Sequence, residues 1–159
     1  MNDRVQRNWL LFATDLFLDH QSDDDLNRWL LGGDCLGWIY ARLLADQQLT
    51  VECCPVMEDW GWYASVRHQD SKTSVCILLY SYIDKHWLLG LKPRHTFSWS
   101  KRRANPVDPK TYVAFAIDDI IADTRFRSFG WREDENFEIL KRKIRTNNPM
   151  NPSGGSGVC

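Results

Sequence analysis

Residues 58–67 read EDWGWYASVR, two carboxylates followed by an alternating run that predicts a β-strand. In an extended chain, successive side chains point to opposite faces. Trp60 and Trp62 are therefore expected to share one face as a large apolar slab, while Tyr63 lies on the other. Gly61 leaves a gap in the strand, which is typical of a bulge or of a place where another chain or a ligand comes close. The predicted fold is built outward from this strand.

The segments next to this strand continue the alternation. Residues 49–54 form a β-rich run, and Pro55 indicates that the run either stops there or lies at the edge of a sheet. Residues 73–83 and 86–92 follow, and short polar turns separate them, which indicates an antiparallel meander. Because residues 73–83 are apolar on both faces, we expect a central strand that is covered on both sides.

Helical spacing dominates the N-terminal part of the chain. Apolar side chains recur at helical intervals over residues 7–20, which predicts a first helix. The acidic run that follows is expected to cap a second helix, with Ser22 or Asp23 as its N-cap. Gly32-Gly33 should break or kink that helix, because two adjacent glycines leave the backbone too free. A third helix would then end near residue 46.

The C-terminal half adds a helix and a short strand. Pro109, with Asp108 as its N-cap, predicts a helix that runs to about residue 123. Residues 125–131 alternate again as a strand, and residues 134–146 are expected to form a closing strand or helix. The sequence therefore predicts an α+β fold, an antiparallel sheet of four or five strands packed against N-terminal helices and one later helix.

The composition is that of a single globular domain. The chain has 159 residues, of which 43% are hydrophobic and 26% are charged, with eight tryptophans. We expect residues 1–146 to form the domain and residues 147–159, rich in Asn, Pro, Gly and Ser, to be a flexible tail. No apolar run approaches the roughly 18 residues of a membrane span, and the first residues do not resemble a signal peptide. These features predict a cytoplasmic protein that does not bind a membrane.

The cysteines and histidines show no spacing that predicts a metal site. The chain has five Cys and four His. No two cysteines have C-x-x-C spacing, and none is followed by spaced histidines. Reduced, buried thiols and exposed turn histidines are the expectation. The alternative is that Cys53 or Cys76 meets His68 or His86 across neighbouring strands. Phosphate-binding and nucleophile motifs are also missing, so we expect neither a metal nor a cofactor.

Two kinds of residue around the first strand are candidates for function. Glu58 and Asp59 are a carboxylate pair, which works as acid and base when the environment separates the two pKa values. A neighbouring aromatic slab would supply the desolvation, whereas a solvated turn would not. The aromatic side chains of the sheet are the candidates for binding a protein partner or a small molecule: Trp60, Trp62, Tyr63 and Trp87.

A basic, aromatic run is the third candidate. Residues 85–107 contain no acidic residue and interleave basic with aromatic side chains, as single-strand nucleic-acid binders do. The alternative is a solvated loop that balances the acidic N-terminal third, and the net charge of −1 favours it. Nucleic acid is therefore not the expected partner, and the opposed charges suggest a homo-oligomer. The anion-binding candidates are Arg94, Lys101, Arg102 and Arg103.

The order of these features resembles that of a group of known proteins. The motif at residues 58–62, a polar turn, a strand pair, a helix and a short strand with Trp131 are similar to small, stand-alone bacterial proteins of unknown function. Some of those are accessory genes on mobile elements, integron cassettes among them, and some act as immunity-type binding proteins. The resemblance covers about residues 50–131 and implies no catalytic residue. Together with the aromatic sheet, it predicts a non-enzymatic binding module. The alternatives are an enzyme that uses Glu58 or Asp59 and a nucleic-acid binder that uses residues 92–103.

Overall fold

A computed structural model gives the structure of residues 7–17, 25–83, 85–94 and 108–133. These residues form two helices and six strands. In chain order the elements are β1 (Trp9–Thr14), α1 (Asp25–Leu44), β2 (Leu49–Glu58), β3 (Gly61–His68), β4 (Ser74–Ile83), β5 (His86–Arg94), α2 (Pro109–Ile121) and β6 (Phe126–Arg132).

The six strands form one antiparallel sheet in the order β2-β3-β4-β5-β1-β6. The predicted α+β class and the meander from β3 to β5 are confirmed, and the described sheet has six strands instead of the predicted four or five. Strand β4 is central, as expected, since β3 and β5 pair with its two edges. Asp108 caps α2 as predicted, and its side chain accepts a hydrogen bond from the backbone N of Thr111 at 3.3 Å.

The predicted helix over residues 7–20 is wrong, because residues 9–14 form strand β1 between β5 and β6. Trp9, Leu10, Leu11 and Phe12 are all buried. A surface helix needs a polar side, and this run offers none, whereas a central strand buries residues on both of its faces. A short apolar run therefore fits the sheet better than a helix.

The predicted break at Gly32-Gly33 is also wrong, because α1 continues without interruption from Asp25 to Leu44. The indole of Trp62 on β3 lies directly against both glycines. A Cβ placed on Gly32 would come within 2.5 Å of Trp62 Cδ1, and one on Gly33 within 2.6 Å of Trp62 Cη2. The glycines therefore allow the helix to approach the sheet, and the tertiary contact outweighs their low helix propensity.

The main core lies between the sheet and the two helices. Residues of alternate strand positions face the helices, and most of them are fully buried. From the sheet they include Leu10, Phe12, Ala64, Val66, Val75, Ile77, Leu79, Leu89 and Leu91; from the helices, Leu36, Ile39, Leu43, Val113, Ile117 and Ile121.

The opposite face of the sheet, here called the outer face, carries a separate apolar cluster. Four residues of this cluster are buried, and three aromatic side chains pack against them while remaining partly exposed. The rings of Trp9 and Tyr80 are 5.9 Å apart, and Trp9 also lies across Gly90. The cluster contains Trp9, Leu11, Leu78 and Leu88, with Tyr63, Tyr80 and Phe129 packed against it.

Several sequence predictions fall on residues outside the described ranges. These are the closing element at 134–146, the tail at 147–159 and most of the basic run. Of the two described helices, neither is long and apolar enough to span a membrane.

Candidate functional site

The β2–β3 hairpin holds the motif from which the fold was predicted. Asp59 and Trp60 form its turn, and β3 begins at Gly61. Trp60 and Trp62 do not share a face as expected. The ring of Trp60 packs on Tyr80 of the outer face, with 5.3 Å between centroids, whereas Trp62 packs on α1. Strand alternation does not apply to Trp60, because it belongs to the turn.

The gap at Gly61 is filled by the backbone of the neighbouring strand of the same chain, and not by another chain or a ligand in this structure. A Cβ on Gly61 would come within 2.6 Å of the carbonyl oxygen of Leu79 on the neighbouring strand β4. Gly61 pairs with Glu58 at the end of the hairpin. The glycine thus lets the turn fold down over β4, and this brings Trp60 onto Tyr80.

Large apolar side chains are exposed around this hairpin. Val51 is 51% exposed, Val56 39%, Met57 57% and Trp60 42%, and in the described part of the chain only Phe115 joins them as an exposed large hydrophobic residue. We call the four residues of the hairpin the hairpin patch. Val56, Met57 and Trp60 lie at the turn end of the hairpin, whereas Val51 lies opposite Val66 near the start of β2. Isolated exposed apolar residues are ordinary, but a contiguous group of them marks an interaction surface.

The hairpin patch lies on an edge strand. Strand β2 pairs with β3 on one side, and within the described sheet nothing pairs with its other side. The register shifts twice, between Val51 and Cys53 and between Cys53 and Val56, and Pro55 lies in the second shift. This confirms the prediction that Pro55 indicates an edge. Bulges and prolines interrupt the row of free backbone groups that an edge strand would otherwise offer.

The register divides the hairpin patch between the two faces of the sheet. Val56 is paired with Tyr63, whose side chain belongs to the outer face, and Trp60 packs on that face too. Met57 is paired with Trp62 and lies on the helix side. The patch therefore wraps around the corner of the sheet, and a partner that contacts it would touch both faces.

The two candidate acids do not lie in an apolar pocket. Glu58 ends β2 and Asp59 lies in the turn, and both are exposed. The ring of Trp60 packs on Tyr80. The desolvation that the acid–base hypothesis requires is therefore not provided at these two carboxylates.

The four aromatic candidates are not brought together. Tyr63 lies on the outer face, where its hydroxyl is 3.5 Å from the Cys76 sulfur, and burial is the main cause that raises the pKa of Tyr63. Trp62 packs on α1, and Trp87 is buried in the main core at 3% exposure. In the described chain, the Trp87 Nε1 has no hydrogen-bond partner. Trp60 is therefore exposed, whereas Trp62 and Tyr63 are half-buried on opposite faces of the sheet.

Of the basic candidates, the described chain contains only Arg94. It is exposed at the end of β5, which extends two residues beyond the predicted limit of residue 92. Lys101, Arg102 and Arg103 lie outside the described residues.

Neither of the two histidines with a described structure lies in an exposed turn, and His86 begins β5 and is half-buried. His68 is 3% exposed instead of lying in an exposed turn, because it is the last residue of β3 and faces the helices as Val66 does. Its ring packs edge-on against Tyr112, at 4.6 Å between centroids. The Tyr112 hydroxyl donates to Asp46 Oδ2 at 2.5 Å, and this hydrogen bond is the main cause that lowers the pKa of Asp46. The three side chains join the end of α1, the end of β3 and the start of α2.

The thiols are only partly as expected. Cys35 is buried, and burial raises its pKa. Cys53 and Cys76 are half-buried, and Cys54 is exposed, since both Cys53 and Cys54 lie on the edge strand. All four are free thiols. No group of three or more potential metal ligands occurs among the residues with a described structure.

No protein-family model, curated protein or solved structure matches this chain. The functional inference therefore depends on the geometry of the hairpin and of the sheet.

Proposed function

We propose that the protein is a non-enzymatic binding module that recognises a protein partner through the hairpin patch. The observation that carries the proposal is the concentration of exposed large apolar side chains, Val51, Val56, Met57 and Trp60, on one edge strand and its turn. Tryptophan is the residue type most enriched at the energetic centre of interfaces, and methionine adapts to irregular partner surfaces. The four side chains would lie at the centre of the contact.

Packing against other aromatic rings supports this role for Trp60. Its ring stacks on Tyr80, which in turn contacts Trp9 on the outer face. Trp9 is 4% exposed, so the row of rings begins in the packed interior and ends at the surface. A side chain held in this way loses little conformational freedom when a partner binds, which favours affinity.

The backbone edge of β2, unpaired within the described sheet, should contribute less affinity for a partner than its length suggests. Pro55 has no N–H to donate, and the register shifts around it interrupt a regular ladder. A partner strand would therefore not pair along the whole of β2. We expect the side chains of the hairpin patch, rather than a continuous row of backbone hydrogen bonds, to provide most of the affinity.

Site-specific photo-crosslinking tests the proposal. A photoreactive amino acid at position 57 should give a discrete cross-link to a different protein in cells that express the chain. The same amino acid at position 115 is the matched control, because Phe115 is 54% exposed but lies on α2. Binding of the partner identified in this way, measured with purified proteins, should weaken at least about tenfold on Trp60→Ser, the loss of an interface anchor.

The outcomes that contradict the proposal are distinct. Equal cross-linking at positions 57 and 115 would indicate non-specific contact. Cross-links between two copies of the chain alone would replace the partner with a homo-oligomer. The Trp60→Ser variant must keep its melting temperature, as expected for a half-exposed residue in a turn.

The resemblance of residues 58–62 to small bacterial accessory proteins, some of them immunity-type binding proteins, agrees with this proposal. We place the protein in the same class, as a cytoplasmic accessory protein. The acid–base alternative has less support, because Glu58 and Asp59 are exposed.

A further inference from the structure

A concave site lies at the end of the sheet where β1, β5 and β6 meet, across strand β4 from the hairpin turn. Strand β1 ends there at Thr14, while β5 begins at His86 and β6 begins at Phe126. The cleft has a volume of about 300 Å³ and is lined by these strand ends and by the turns that adjoin them. This volume is at the lower limit for small-molecule sites.

A small residue forms the floor of the cleft. Ala13 is paired with His86 on one side and with Arg127 on the other, so the three side chains share the outer face. Directly paired side chains are about 5 Å apart, so His86 and Arg127 lie roughly 10 Å from each other across Ala13. Phe129 forms a wall: its ring is 5.4 Å from that of His86, and the Arg127 guanidinium is 5.1 Å from its centroid.

Thr14 fixes the two turns that supply the remaining cations. Its backbone N donates to the carbonyl of Lys85 at 3.1 Å, and its hydroxyl donates to the carbonyl of Arg125 at 2.9 Å. Thr14 is buried, so both hydrogen bonds are shielded from water. The positions of Lys85 and Arg125 at the cleft are therefore set by the fold and not by the ligand.

Among the described residues that line the cleft, three are cations and one is a carboxylate, although Asp123 beside the cleft pairs with Arg125. The cations are Lys85, Arg125 and Arg127, and the carboxylate is that of Asp15. Lys85 and Asp15 form an ion pair at 2.6 Å, but their side chains are 55% and 75% exposed. Such a pair contributes little and is easily exchanged for another anion.

The two arginines offer donors that the protein itself does not use. Asp123 accepts from Arg125 Nε at 2.9 Å and from Nη2 at 2.7 Å, which orients the guanidinium and leaves Nη1 without a partner in the described structure. Arg127 packs on Phe129 and forms no ion pair with any described residue. Both arginines are exposed at the cleft.

We propose that this cleft binds a small organic phosphate, with its phosphate group between Lys85, Arg125 and Arg127 and its organic part against Ala13 and Phe129. The cations come from three directions, namely the turn before β5, the turn before β6 and strand β6 itself. A phosphate monoester presents three terminal oxygens in a tetrahedral arrangement, whereas a carboxylate presents two in a plane. The apolar floor and wall favour a ligand that is larger than a bare phosphate ion.

Nuclear magnetic resonance titration of the full chain tests this site. The probes are phenyl phosphate, benzoate and inorganic phosphate at matched ionic strength. Phenyl phosphate should bind most tightly and shift the amide signals of Ala13, His86 and Phe129. Arg127→Gln should weaken its binding at least about tenfold, since it removes charge-assisted hydrogen bonds. Arg94→Gln, which removes an arginine at the far end of β5, should change the dissociation constant less than twofold.

A second variant tests the shape of the site without changing its charge. Ala13→Leu fills the floor and should weaken phenyl phosphate more than inorganic phosphate. The proposal is overturned if phenyl phosphate does not saturate, if benzoate binds as tightly, or if Arg94→Gln has the same effect as Arg127→Gln. It is also overturned if Arg127→Gln and Lys85→Gln both bind as well as the unmodified chain.

Discussion

The contact between Trp62 and the two glycines of α1 makes a prediction that runs against helix propensity. Gly→Ala inside a helix ordinarily stabilises a protein by roughly 1 kcal/mol. At Gly33, however, a Cβ would be 2.6 Å from Trp62 Cη2 and 2.7 Å from Cζ2. Real Cβ atoms do not come this close to a ring, so either the indole or the helix must move.

The magnitude follows from two opposing effects. Overpacking a well-packed site costs about 1–3 kcal/mol, and the gain in helix propensity offsets about 1 kcal/mol of this. We expect Gly33→Ala to lower the free energy of unfolding by about 1 kcal/mol. Gly37 lies in the same helix, and a Cβ there would meet nothing within 4 Å. Gly37→Ala should therefore raise the free energy of unfolding by up to about 1 kcal/mol.

Urea unfolding of a double-mutant cycle separates the two effects. Trp62→Ala removes the ring and is itself destabilising, but in that background Gly33→Ala should no longer destabilise and should resemble Gly37→Ala. The coupling between positions 33 and 62 should be about 1–2 kcal/mol. A Gly33→Ala variant that is as stable as Gly37→Ala in the unmodified chain would refute the tight packing of Trp62 on α1.

Two further predictions concern the core. Tyr112→Phe removes the hydrogen bond to Asp46 and should cost about 1 kcal/mol, since both groups are partly exposed. Because that bond lowers the pKa of Asp46 in the folded state, the stabilisation is complete above the unfolded pKa of about 3.9 and is lost as the pH falls through the lower folded value. The stability difference between the two proteins should therefore shrink below about pH 4 in urea unfolding, and a constant difference down to pH 2.5 would contradict the assignment to Asp46. Ile77→Asp should unfold the protein, since an unpaired charge at this fully buried position costs several kcal/mol, whereas Val51→Asp on the exposed edge should leave the circular dichroism melting curve nearly unchanged. A folded Ile77→Asp variant would remove β4 from the core.

The part of the fold that was predicted from the sequence is the part in which local patterns agree. Residues 73–83 and 86–92 alternate between polar turns and form β4 and β5, and the strand from 73–83 is central as expected. Asp108 and Pro109 begin α2, since a cap and a helix-compatible proline act within one turn of the chain. In each case, the residues that determine the structure lie within a few positions of it.

The errors occur where a distant residue decides the outcome. Gly32-Gly33 would interrupt an isolated helix, but the ring of Trp62, about 30 residues away along the chain, requires two residues without side chains. Strand alternation predicts that Trp60 lies on the same face as Trp62. The close approach of Gly61 to the backbone of Leu79 instead places the Trp60 ring over the outer face. Neither contact has a signature in the local sequence.

The cleft at the end of the sheet could not be predicted for the same reason. Its residues come from three separate segments, around Ala13, His86 and Arg127, and only the position of β1 in the sheet brings them together. The basic run at residues 85–107 pointed to anion binding, but towards residues 94–103 rather than towards Lys85. The anion-binding hypothesis for residues 94–103 stays a prediction, because three of its four candidate residues lie outside the described ranges.

Strand β1 contributes to both proposed surfaces. A helix over residues 7–20 would have left β5 and β6 without the strand that joins them, and His86 would not face Arg127 across Ala13. As a strand, β1 carries a large ring at one end and a small residue at the other. Trp9 supports Tyr80 and, through it, Trp60 at the hairpin patch, whereas Ala13 leaves the outer face open at the cleft. Trp9 and Ala13 lie four residues apart along the outer face of β1. A substitution that fills the cleft at Ala13 therefore leaves the ring contacts of Trp9 in place. The two binding proposals can thus be tested independently.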